Sequence, residues 1–200
     1  MDEHPFTSLS SDQYDVLCIY DYRSLWPIED IQRICASYTQ KILLSWSMGV
    51  WAGQQLFADH PDIFDRLIAL NGTLCPVDPT FGIPSDIFLA TLNAWSEQSR
   101  LKFYRRMFSS SQDYERFMTH APRRMVADQK EELSVLYHKT QAVKMSISIY
   151  DMVCIGMKDR IFPVQNQKKY WQNAPILCTD YSHFPFYSFP SWDVFLTQMK

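Results

Sequence analysis

Residues 41–53, KILLSWSMGVWAG, contain the pattern that decides the fold. The apolar run at 41–46 is typical of a buried parallel strand. It is followed by S-x-S-x-G and then by a helical pattern that starts at Met48. A strand, a sharp turn that carries a serine, and a helix together form a nucleophile elbow. The stretch therefore predicts an exposed serine hydroxyl, that of Ser47, at the amino end of a helix.

A turn of this kind needs small side chains two residues before and two residues after the serine. Glycine is usual at both positions, whereas here Ser45 takes the first and Gly49 the second. The partial positive charge and free N–H groups of the helix amino terminus can stabilise an oxyanion. The backbone N–H of Met48 is the predicted donor. The alternative is that Ser47 caps the helix, because serine is favoured at that position.

The composition indicates a chain that folds as one globular unit. The 200 residues are 46% hydrophobic and 15% aromatic, which excludes disordered and low-complexity classes. A formal net charge of −3 gives no reason to expect nucleic acid. The five cysteines form no C-x-x-C pair, and neither a secretion signal nor an apolar run of membrane-spanning length occurs. We expect a single domain, 1–200, that is cytoplasmic and monomeric, with no metal and no nucleic-acid or membrane partner.

Apolar runs of strand length alternate with helical patterns along most of the chain. This alternation predicts an α/β fold with a mostly parallel sheet. The predicted strands cover 15–20, 41–46, 67–71, 146–154 and, more weakly, 175–178. The predicted helices cover 28–38, 48–57 and 164–173. Ligands bind at the carboxyl ends of parallel strands, so we expect functional residues in the loops that follow these strands.

The region 86–140 breaks the alternation, because it contains no convincing strand. Apolar residues that include Phe88 and Trp95 recur there at helical spacing. We therefore predict a helical insertion, or lid, between strands at about 85–143. Residues 100–124 carry seven basic side chains against two acidic ones, so this part of the insertion is expected to present a basic face.

A serine that performs acyl transfer needs a base, and the base needs a carboxylate to orient it. On a parallel α/β sheet these residues follow in the order Ser, Asp or Glu, His. Asp159 lies in the turn that follows the fourth predicted strand, and His183 lies in the loop that follows the fifth. Asp151 is the weaker choice for the acid, because it lies inside the fourth strand. Ser47, Asp159 and His183 thus each follow a predicted parallel strand, at the edge of the sheet where ligands bind.

Several segments carry longer motifs, of which WSMGVWA at 46–52 is far more specific than S-x-G. The others are YDVLCIYDY at 14–22, LNGT at 70–73, FGIP at 81–84, RLKF at 100–103 with Arg105 and Arg106, KDRIF at 158–162 and SH at 182–183. In these motifs the chain resembles the BioG-type pimeloyl-[acyl-carrier protein] methyl ester esterases, which are α/β-hydrolases of biotin synthesis. The resemblance extends over nearly the whole chain.

The resemblance implies that Ser47 is the nucleophile, Asp159 the orienting acid and His183 the base, in agreement with the order of the residues. It implies hydrolysis of a methyl ester at the end of a pimeloyl chain on acyl-carrier protein, without metal or organic cofactor. The residues expected to bind the acyl chain are Trp46, Phe81, Phe88, Trp95 and Phe103. The residues expected to bind the acidic carrier are Arg100, Arg105, Arg106, Arg116, Arg123 and Arg124.

Members of that family have a further strand and a turn of F-x-G-W-G type ahead of the position where this sequence starts. In α/β-hydrolases the loop after that strand supplies the second oxyanion N–H. Loss of one such donor typically lowers turnover about 10²- to 10³-fold. We therefore expect an amino-terminally truncated chain, which the intact mass of the native protein would test. Two alternatives to the carrier esterase are a general short-chain esterase or thioesterase and a non-catalytic module that binds the carrier.

Overall fold

The computed structural model describes residues 1–141 and 147–199. Within these residues one sheet is formed, and every neighbouring pair of its strands is parallel. In spatial order its strands are β1 (Ile42–Trp46), β2 (Arg66–Leu70), β3 (Met152–Lys158) and β4 (Ile176–Ser182). The predicted α/β class with a parallel sheet is confirmed.

Helices connect the strands and flank the sheet. The α-helices of the described residues are α1 (Ile28–Cys35), α2 (Met48–Phe57), α3 (Ser85–Asn93), α4 (Glu97–Arg106), α5 (Ser111–Thr119), α6 (Val126–Gln141), α7 (Val164–Tyr170) and α8 (Trp192–Gln198). Short 3₁₀ helices cover His4–Phe6, Pro61–Ile63 and Phe186–Ser188. In the described part of the chain, every helix is too short or too polar to span a bilayer.

The predicted strand at 15–20 is wrong. Within the described residues this segment belongs to no strand or helix, and its Val16 and Leu17 side chains are 52% and 47% exposed. A strand persists only where a neighbouring backbone accepts and donates its hydrogen bonds, and β1 is an edge strand that does not pair with this segment. The Val16 and Leu17 side chains instead line an apolar cavity of about 500 Å³. The apolar run predicts a buried strand, but it does not specify the neighbouring strand that would pair with it and cover it.

Other predicted elements are present with different ends. The predicted fourth strand starts at 146, which lies outside the described residues. The observed β3 begins only at Met152, so the prediction is wrong for 147–151, and Asp151 precedes the strand. At its other end β3 continues beyond the predicted 154 to Lys158. The observed β4 likewise continues to Ser182, because these two residues pair with each other. Gly156 allows the close approach of the two strands, since a Cβ there would lie 2.6 Å from the carbonyl oxygen of Tyr181. The longer strands carry the chain directly to the loops that hold Asp159 and His183.

Helices α3 to α6 lie between β2 and β3, where a helical insertion is predicted. Two of them begin at serine caps: Ser96 Oγ accepts the backbone N–H of Ser99, and Ser110 Oγ accepts that of Asp113. These caps explain why the helical region is divided into short helices. The proposed end of the lid, at 142 and 143, lies outside the described residues, and its action as a lid stays a prediction.

An aromatic cluster joins this helical region to the end of the sheet. The Phe184 ring lies 5.3 Å from that of Phe108 and 5.4 Å from that of Phe117, measured between centroids. All three side chains are buried. Because aromatic pairs at these distances add to the stability gained from burial, the chain directly after His183 is anchored in the core.

Candidate active site

Ser47 occupies the sharp turn between β1 and α2. Its backbone angles are φ 60° and ψ −125°, a conformation that is costly for any residue except glycine. The Ser47 N–H donates to the carbonyl of Leu70 at 2.9 Å, so the turn stays attached to β2. Gly72 leaves room for the turn, because a Cβ at that position would collide with the Ser47 carbonyl. The strand, turn and helix predicted from 41–53 are therefore formed.

The hydroxyl of Ser47 points to a histidine and not to its own helix. Its Oγ makes no capping hydrogen bond with α2, and it lies 3.1 Å from Nε2 of His183. A capping serine would accept an N–H of the first helical turn, so the helix-cap interpretation does not describe this residue. Met48 is the first residue of α2, so its N–H has no acceptor within the helix.

His183 and Asp159 form a buried pair at the carboxyl ends of β4 and β3. Their side chains are 1% and 0% exposed, and His183 Nδ1 lies 2.9 Å from Asp159 Oδ2. An ionised carboxylate only accepts hydrogen bonds, so the partner atom Nδ1 carries the proton. Nε2 is then free to accept the proton of the Ser47 hydroxyl. The structure thus brings together the three residues that were predicted from their order along the chain.

The Asp159 carboxylate accepts four hydrogen bonds. Oδ1 accepts the backbone N–H groups of Ile161 at 2.7 Å and Phe162 at 2.9 Å. Oδ2 accepts from His183 and from Nε2 of Gln167 at 3.1 Å. Gln167 is fully buried in α7 and was missed by the sequence analysis. A glutamine on the first turns of the helix that follows the acid is the one signal that could have pointed to it.

Comparisons with known proteins show the family and the fold of this chain. The family model for the pimeloyl-ACP methyl esterase BioG matches residues 7–195. The chain belongs to the BioG family. Its structure is similar to the crystal structure of BioG from Haemophilus influenzae, with 29% identity and a TM-score of 0.82 over 96% of this chain and 87% of that one. The α/β hydrolase MGS-M2 from a deep-sea metagenome shares the fold, with a TM-score of 0.54 and 16% identity over 86% of this chain and 68% of that one.

Two curated proteins are also similar in sequence. One, named malonyl-[acyl-carrier protein] O-methyltransferase, is from Bacteroides fragilis and is 37% identical over 172 residues. That match covers 86% of this chain but 34% of the other protein, so the chain spans about a third of its length. The other, an uncharacterized protein of Haemophilus influenzae, is 30% identical over 183 residues, which cover 90% of this chain and 82% of that protein.

Trp46 lies beside the histidine of this BioG-family chain. Its indole Nε1 donates to the carbonyl oxygen of His183 at 2.7 Å, and the two rings lie 5.2 Å apart between centroids. Trp46 is the last residue of β1, directly before Ser47. Its observed contact therefore supports the backbone of the histidine, and contact with an acyl chain stays a prediction.

The other residues predicted to bind the acyl chain lie on separate elements. Trp95 and Phe103 contact each other edge to face, with ring centroids 5.5 Å apart. Phe88 stacks on a tyrosine of α6 at 6.0 Å, and Phe81 packs against a tyrosine of α7 at 5.8 Å. Trp95 and Phe88 are buried. These contacts describe packing within the helical region and against α7, and an acyl-binding role for the four residues stays a prediction.

Two of the predicted carrier-binding arginines are engaged inside the molecule. The side chain of Arg124 is 8% exposed and forms ion pairs with Glu132 and, at 3.1 Å, with Asp21. Arg100 is 16% exposed and pairs with Glu97. The Arg124 guanidinium cannot turn outward without leaving the nearly buried carboxylate of Glu132 unpaired. The charge of Arg124 therefore serves the fold.

The remaining four arginines lie nearer to the surface. Arg106 and Arg123 are exposed. Arg105 and Arg116 are half-buried, and their guanidinium groups lie 5.5 Å and 4.3 Å from the centres of tyrosine rings. Arg106 donates to the carbonyl of Arg160 at 2.9 Å, in the loop that contains Asp159. Of the predicted carrier contacts, Arg106 is thus hydrogen-bonded to the loop that contains Asp159.

A group of metal-ligating type lies at the start of the described chain. Asp2, Glu3 and His4 each offer one ligand atom, and these atoms lie within 4.8 Å of one another. Asp2 is buried and accepts the backbone N–H groups of Arg123 at 2.7 Å and Arg124 at 3.0 Å. These bonds hold the turn before α6, so we assign Asp2 a structural role.

Two neutral side chains lie in the core near the sheet. Burial raises the pKa of the Cys154 thiol in β3 to about 11. Burial also raises the pKa of Tyr150, whose hydroxyl donates to the carbonyl of Val50 in α2 at 2.7 Å. Both groups stay protonated at neutral pH, so neither adds a negative charge to the core.

Proposed function

We propose that this chain hydrolyses a carboxylic ester with Ser47 as nucleophile, His183 as base and Asp159 as orienting acid. One observation carries the proposal: the Ser47 hydroxyl, held on a strained turn, lies 3.1 Å from His183 Nε2, while His183 Nδ1 lies 2.9 Å from Asp159 Oδ2. Both distances are within hydrogen-bonding range, and the order of contacts is that of a serine hydrolase. Membership of the BioG family supports the same reaction class.

In the first half of the reaction, Ser47 Oγ attacks the ester carbonyl carbon while His183 Nε2 takes the hydroxyl proton. The carbonyl π electrons move onto oxygen, and the N–H of Met48 at the start of α2 donates to this oxyanion. Asp159 stabilises the imidazolium through Nδ1 and does not itself take the proton. When the carbonyl re-forms, the bond to the alcohol oxygen breaks and the alcohol leaves with the proton held by His183.

In the second half, water releases the acyl group from Ser47. His183 Nε2 takes a proton from the water as its oxygen attacks the acyl carbon. The bond to Ser47 Oγ then breaks, and Oγ recovers the proton from His183. The net change is ester plus water to carboxylic acid plus alcohol, and the enzyme returns to its starting state.

For the substrate we propose the methyl ester of a pimeloyl chain carried on acyl-carrier protein, which makes methanol the alcohol released. The family model supports this substrate class. The exposed Arg106 supports an acidic carrier, because it presents a positive charge next to the loop of Asp159. Phe81, Phe88, Trp95 and Phe103 are the proposed contacts of the acyl chain.

The test is methanol release from pimeloyl-[acyl-carrier protein] methyl ester by the wild-type chain and by Ser47→Ala. Ser45→Ala is the matched control, because Ser45 is a buried serine two residues away in the same motif. We expect wild type and Ser45→Ala to release methanol and Ser47→Ala to lose at least about 10³-fold in rate. Equal rates in wild type and Ser47→Ala would reject Ser47 as the nucleophile.

The same assay separates a carrier-specific enzyme from a general esterase. A carrier-specific enzyme should hydrolyse the carrier-bound ester far better than p-nitrophenyl butyrate, and added salt should weaken that preference by screening the charges. Equal activity on both esters, insensitive to salt, would favour the general esterase. Failure to hydrolyse either ester, with no labelling of Ser47 by a fluorophosphonate, would favour a non-catalytic carrier-binding module.

A further inference from the structure

Asn71 lies directly after β2, where the carboxyl ends of the parallel strands meet. Its side chain is almost fully buried, and its backbone has φ 49°, a region that asparagine tolerates better than most residues. Its N–H donates to the carbonyl of Cys154 in β3 at 3.0 Å. Asn71 takes part in no step of the proposed reaction. A buried amide at this place therefore needs another explanation.

The Asn71 side chain joins three strand ends. Nδ2 donates to the carbonyl oxygens of Ser182 and His183, both at 3.0 Å. Oδ1 accepts the backbone N–H of Gly156 at 2.7 Å. The partners fix the orientation of the amide, since two carbonyl oxygens require the NH₂ group and an N–H requires the oxygen. One side chain directly after β2 thus binds β3 at Gly156 and the end of β4 at Ser182 and His183.

The carbonyl of His183 consequently accepts hydrogen bonds from two strands. Trp46 Nε1 at the end of β1 donates to it at 2.7 Å, and Asn71 Nδ2 donates at 3.0 Å. The imidazole of the same residue must reach Ser47 on one side and Asp159 on the other. Because a displacement of about 1 Å in a reacting group can cost about 10²-fold in rate, the position of this backbone matters for proton transfer.

We propose that Asn71 is a positioning residue that sets the distance between His183 and Asp159. This inference rests on the proposed function, because it treats that pair as the base and its orienting acid. Asn71 acts through the backbone of His183 and through Gly156, and it touches no reacting atom. It holds the loops that follow β3 and β4 at a fixed separation. The hydrogen bond between His183 Nδ1 and Asp159 Oδ2 therefore forms without rearrangement of either loop.

Asparagine suits this position for reasons of donor count and backbone conformation. Its side chain offers two N–H donors and one oxygen acceptor, which match two carbonyls and one N–H. An aspartate in the same place keeps the acceptor and nearly the same shape, but as a carboxylate it has no donor for the Ser182 and His183 carbonyls. A glycine keeps the positive φ and removes the whole side chain. Asn71→Asp therefore tests the loss of the side-chain donors, and Asn71→Gly tests the loss of the whole side chain at an unchanged backbone conformation.

The first experiment measures kcat and KM for pimeloyl-[acyl-carrier protein] methyl ester with wild type, Asn71→Asp and Asn71→Gly. Concentrations are normalised to folded protein, and the melting temperature is recorded for each variant. We expect kcat to fall about 10- to 100-fold in both variants, while KM stays within about twofold, because the substrate-binding groups are untouched. A kcat within twofold of wild type in Asn71→Asp would overturn the proposal.

The matched control is Gln54→Ala. Gln54 is also a buried side-chain amide that joins a distant segment, since Nε2 donates to the carbonyl of Ile147 at 3.0 Å and Oε1 accepts the N–H of Ile149 at 3.0 Å. Its partners do not include the loops of Asp159 or His183. We expect Gln54→Ala to lower the melting temperature but to leave kcat within about twofold. An equal loss of kcat in Gln54→Ala and the Asn71 variants would mean that Asn71 only stabilises the fold. That result would overturn the proposal.

A second measurement does not depend on turnover. The proton that His183 Nδ1 shares with Asp159 should give a low-field resonance in the ¹H NMR spectrum, identified by its loss in His183→Gln. We expect this resonance to broaden or disappear in Asn71→Asp and to persist in Gln54→Ala. An unchanged resonance in Asn71→Asp would overturn the proposal. Full activity of Ser47→Ala would instead reject the proposed function, so the two failures can be told apart.

Discussion

The side-chain amide of Gln167 donates to the same carboxylate oxygen of Asp159 that accepts the hydrogen bond of His183. The two donors lie 3.1 Å and 2.9 Å from Oδ2. Gln167 Nε2 also donates to the carbonyl of Phe162 at 3.0 Å, which ties α7 to the loop of the acid. The Asp159 carboxylate, which we propose to be the orienting acid, is therefore itself held in place by a buried amide.

Gln167→Leu should weaken both the fold and the reaction. Leucine has a similar volume but no donor, so Asp159 Oδ2 keeps only the hydrogen bond of His183 and the Phe162 carbonyl loses a buried donor, at about 1–3 kcal/mol for an unsatisfied buried group. We expect a lower free energy of unfolding in urea and a kcat reduced about 10-fold or more, because Asp159 can now rotate away from His183. Gln165→Leu, on the exposed side of α7, is the control. A kcat equal to that of the control would contradict the role given to Gln167.

Asp159→Asn tests the orienting acid. The substituted amide keeps an oxygen that can still accept from Ile161 and Phe162, so we expect the variant to fold. It can present a donor to His183 Nδ1, which favours the tautomer that cannot accept the Ser47 proton. We expect kcat to fall about 10⁴-fold, as in serine hydrolases whose acid is amidated.

Asp180→Asn is the control for that substitution. Asp180 lies on β4, its side chain is 80% exposed, and it pairs with Lys158 at 2.6 Å. Exposed ion pairs contribute little to stability, so we expect this variant to match wild type in both stability and rate. If Asp159→Asn retained more than about a tenth of the wild-type rate, another group would have to orient His183.

Arg106→Glu tests the carrier-binding surface. Reversal of this exposed charge should raise KM for the carrier-bound ester about tenfold, and the effect should shrink at high salt. The rate with p-nitrophenyl butyrate should not change, because that ester carries no acidic carrier. The control is Arg33→Glu, since Arg33 on α1 is also exposed and its one described ion pair is the local one with Asp30. Equal KM values in the two variants would remove Arg106 from the proposed carrier contacts.

The sequence predicts those helices and strands whose formation is determined within one short stretch of the chain. β1 and α2 agree with the predicted 41–46 and 48–57 to within one residue, because the apolar run and the S-x-S-x-G turn lie in one continuous stretch. The strand predicted at 15–20 fails, because strand formation depends on a neighbour that the segment itself does not specify. The sequence also indicates the basic character of 100–124, but it does not reveal which of its arginines have acidic partners.

The same distinction applies to the site. Ser47, Asp159 and His183 are predictable because each directly follows a strand, and parallel strands bring these ends together. Asn71 and Gln167 are not predictable in this way. The side-chain partners of Asn71 lie 85, 111 and 112 residues further along the chain, and only the completed sheet places them beside it. Trp46 is predicted as a substrate contact, whereas its observed hydrogen bond is to the His183 backbone.

Asp21 should contribute to stability in a pH-dependent manner. The side-chain hydrogen bonds from Arg23 hold the pKa of its carboxyl below the ordinary value of 3.8, and the charge of Arg124 adds to this effect. A group whose pKa is lowered by folding stabilises the fold above its unfolded pKa, and this contribution is lost as the pH falls through the folded pKa. Asp21→Asn keeps a residue that tolerates the observed φ of 66°.

We therefore expect Asp21→Asn to be less stable than wild type at about pH 7, with a difference that shrinks below about pH 4. Urea unfolding at the two pH values measures the difference in free energy of unfolding between Asp21→Asn and wild type. Asp62→Asn, at an exposed position, is the control and should change the free energy of unfolding by less than about 0.5 kcal/mol at both. A destabilisation by Asp21→Asn that is equal at both pH values would contradict the assignment of this ion pair.

The most direct test of the central claim is the site of reaction with an alkyl fluorophosphonate, mapped by mass spectrometry of the labelled peptide. Such a reagent phosphonylates a serine only where a neighbouring base activates the hydroxyl. We expect stoichiometric labelling at Ser47 in the wild-type chain and labelling at least about 10³-fold slower in His183→Gln. Labelling of a different residue, or equal labelling rates in the two proteins, would contradict the account.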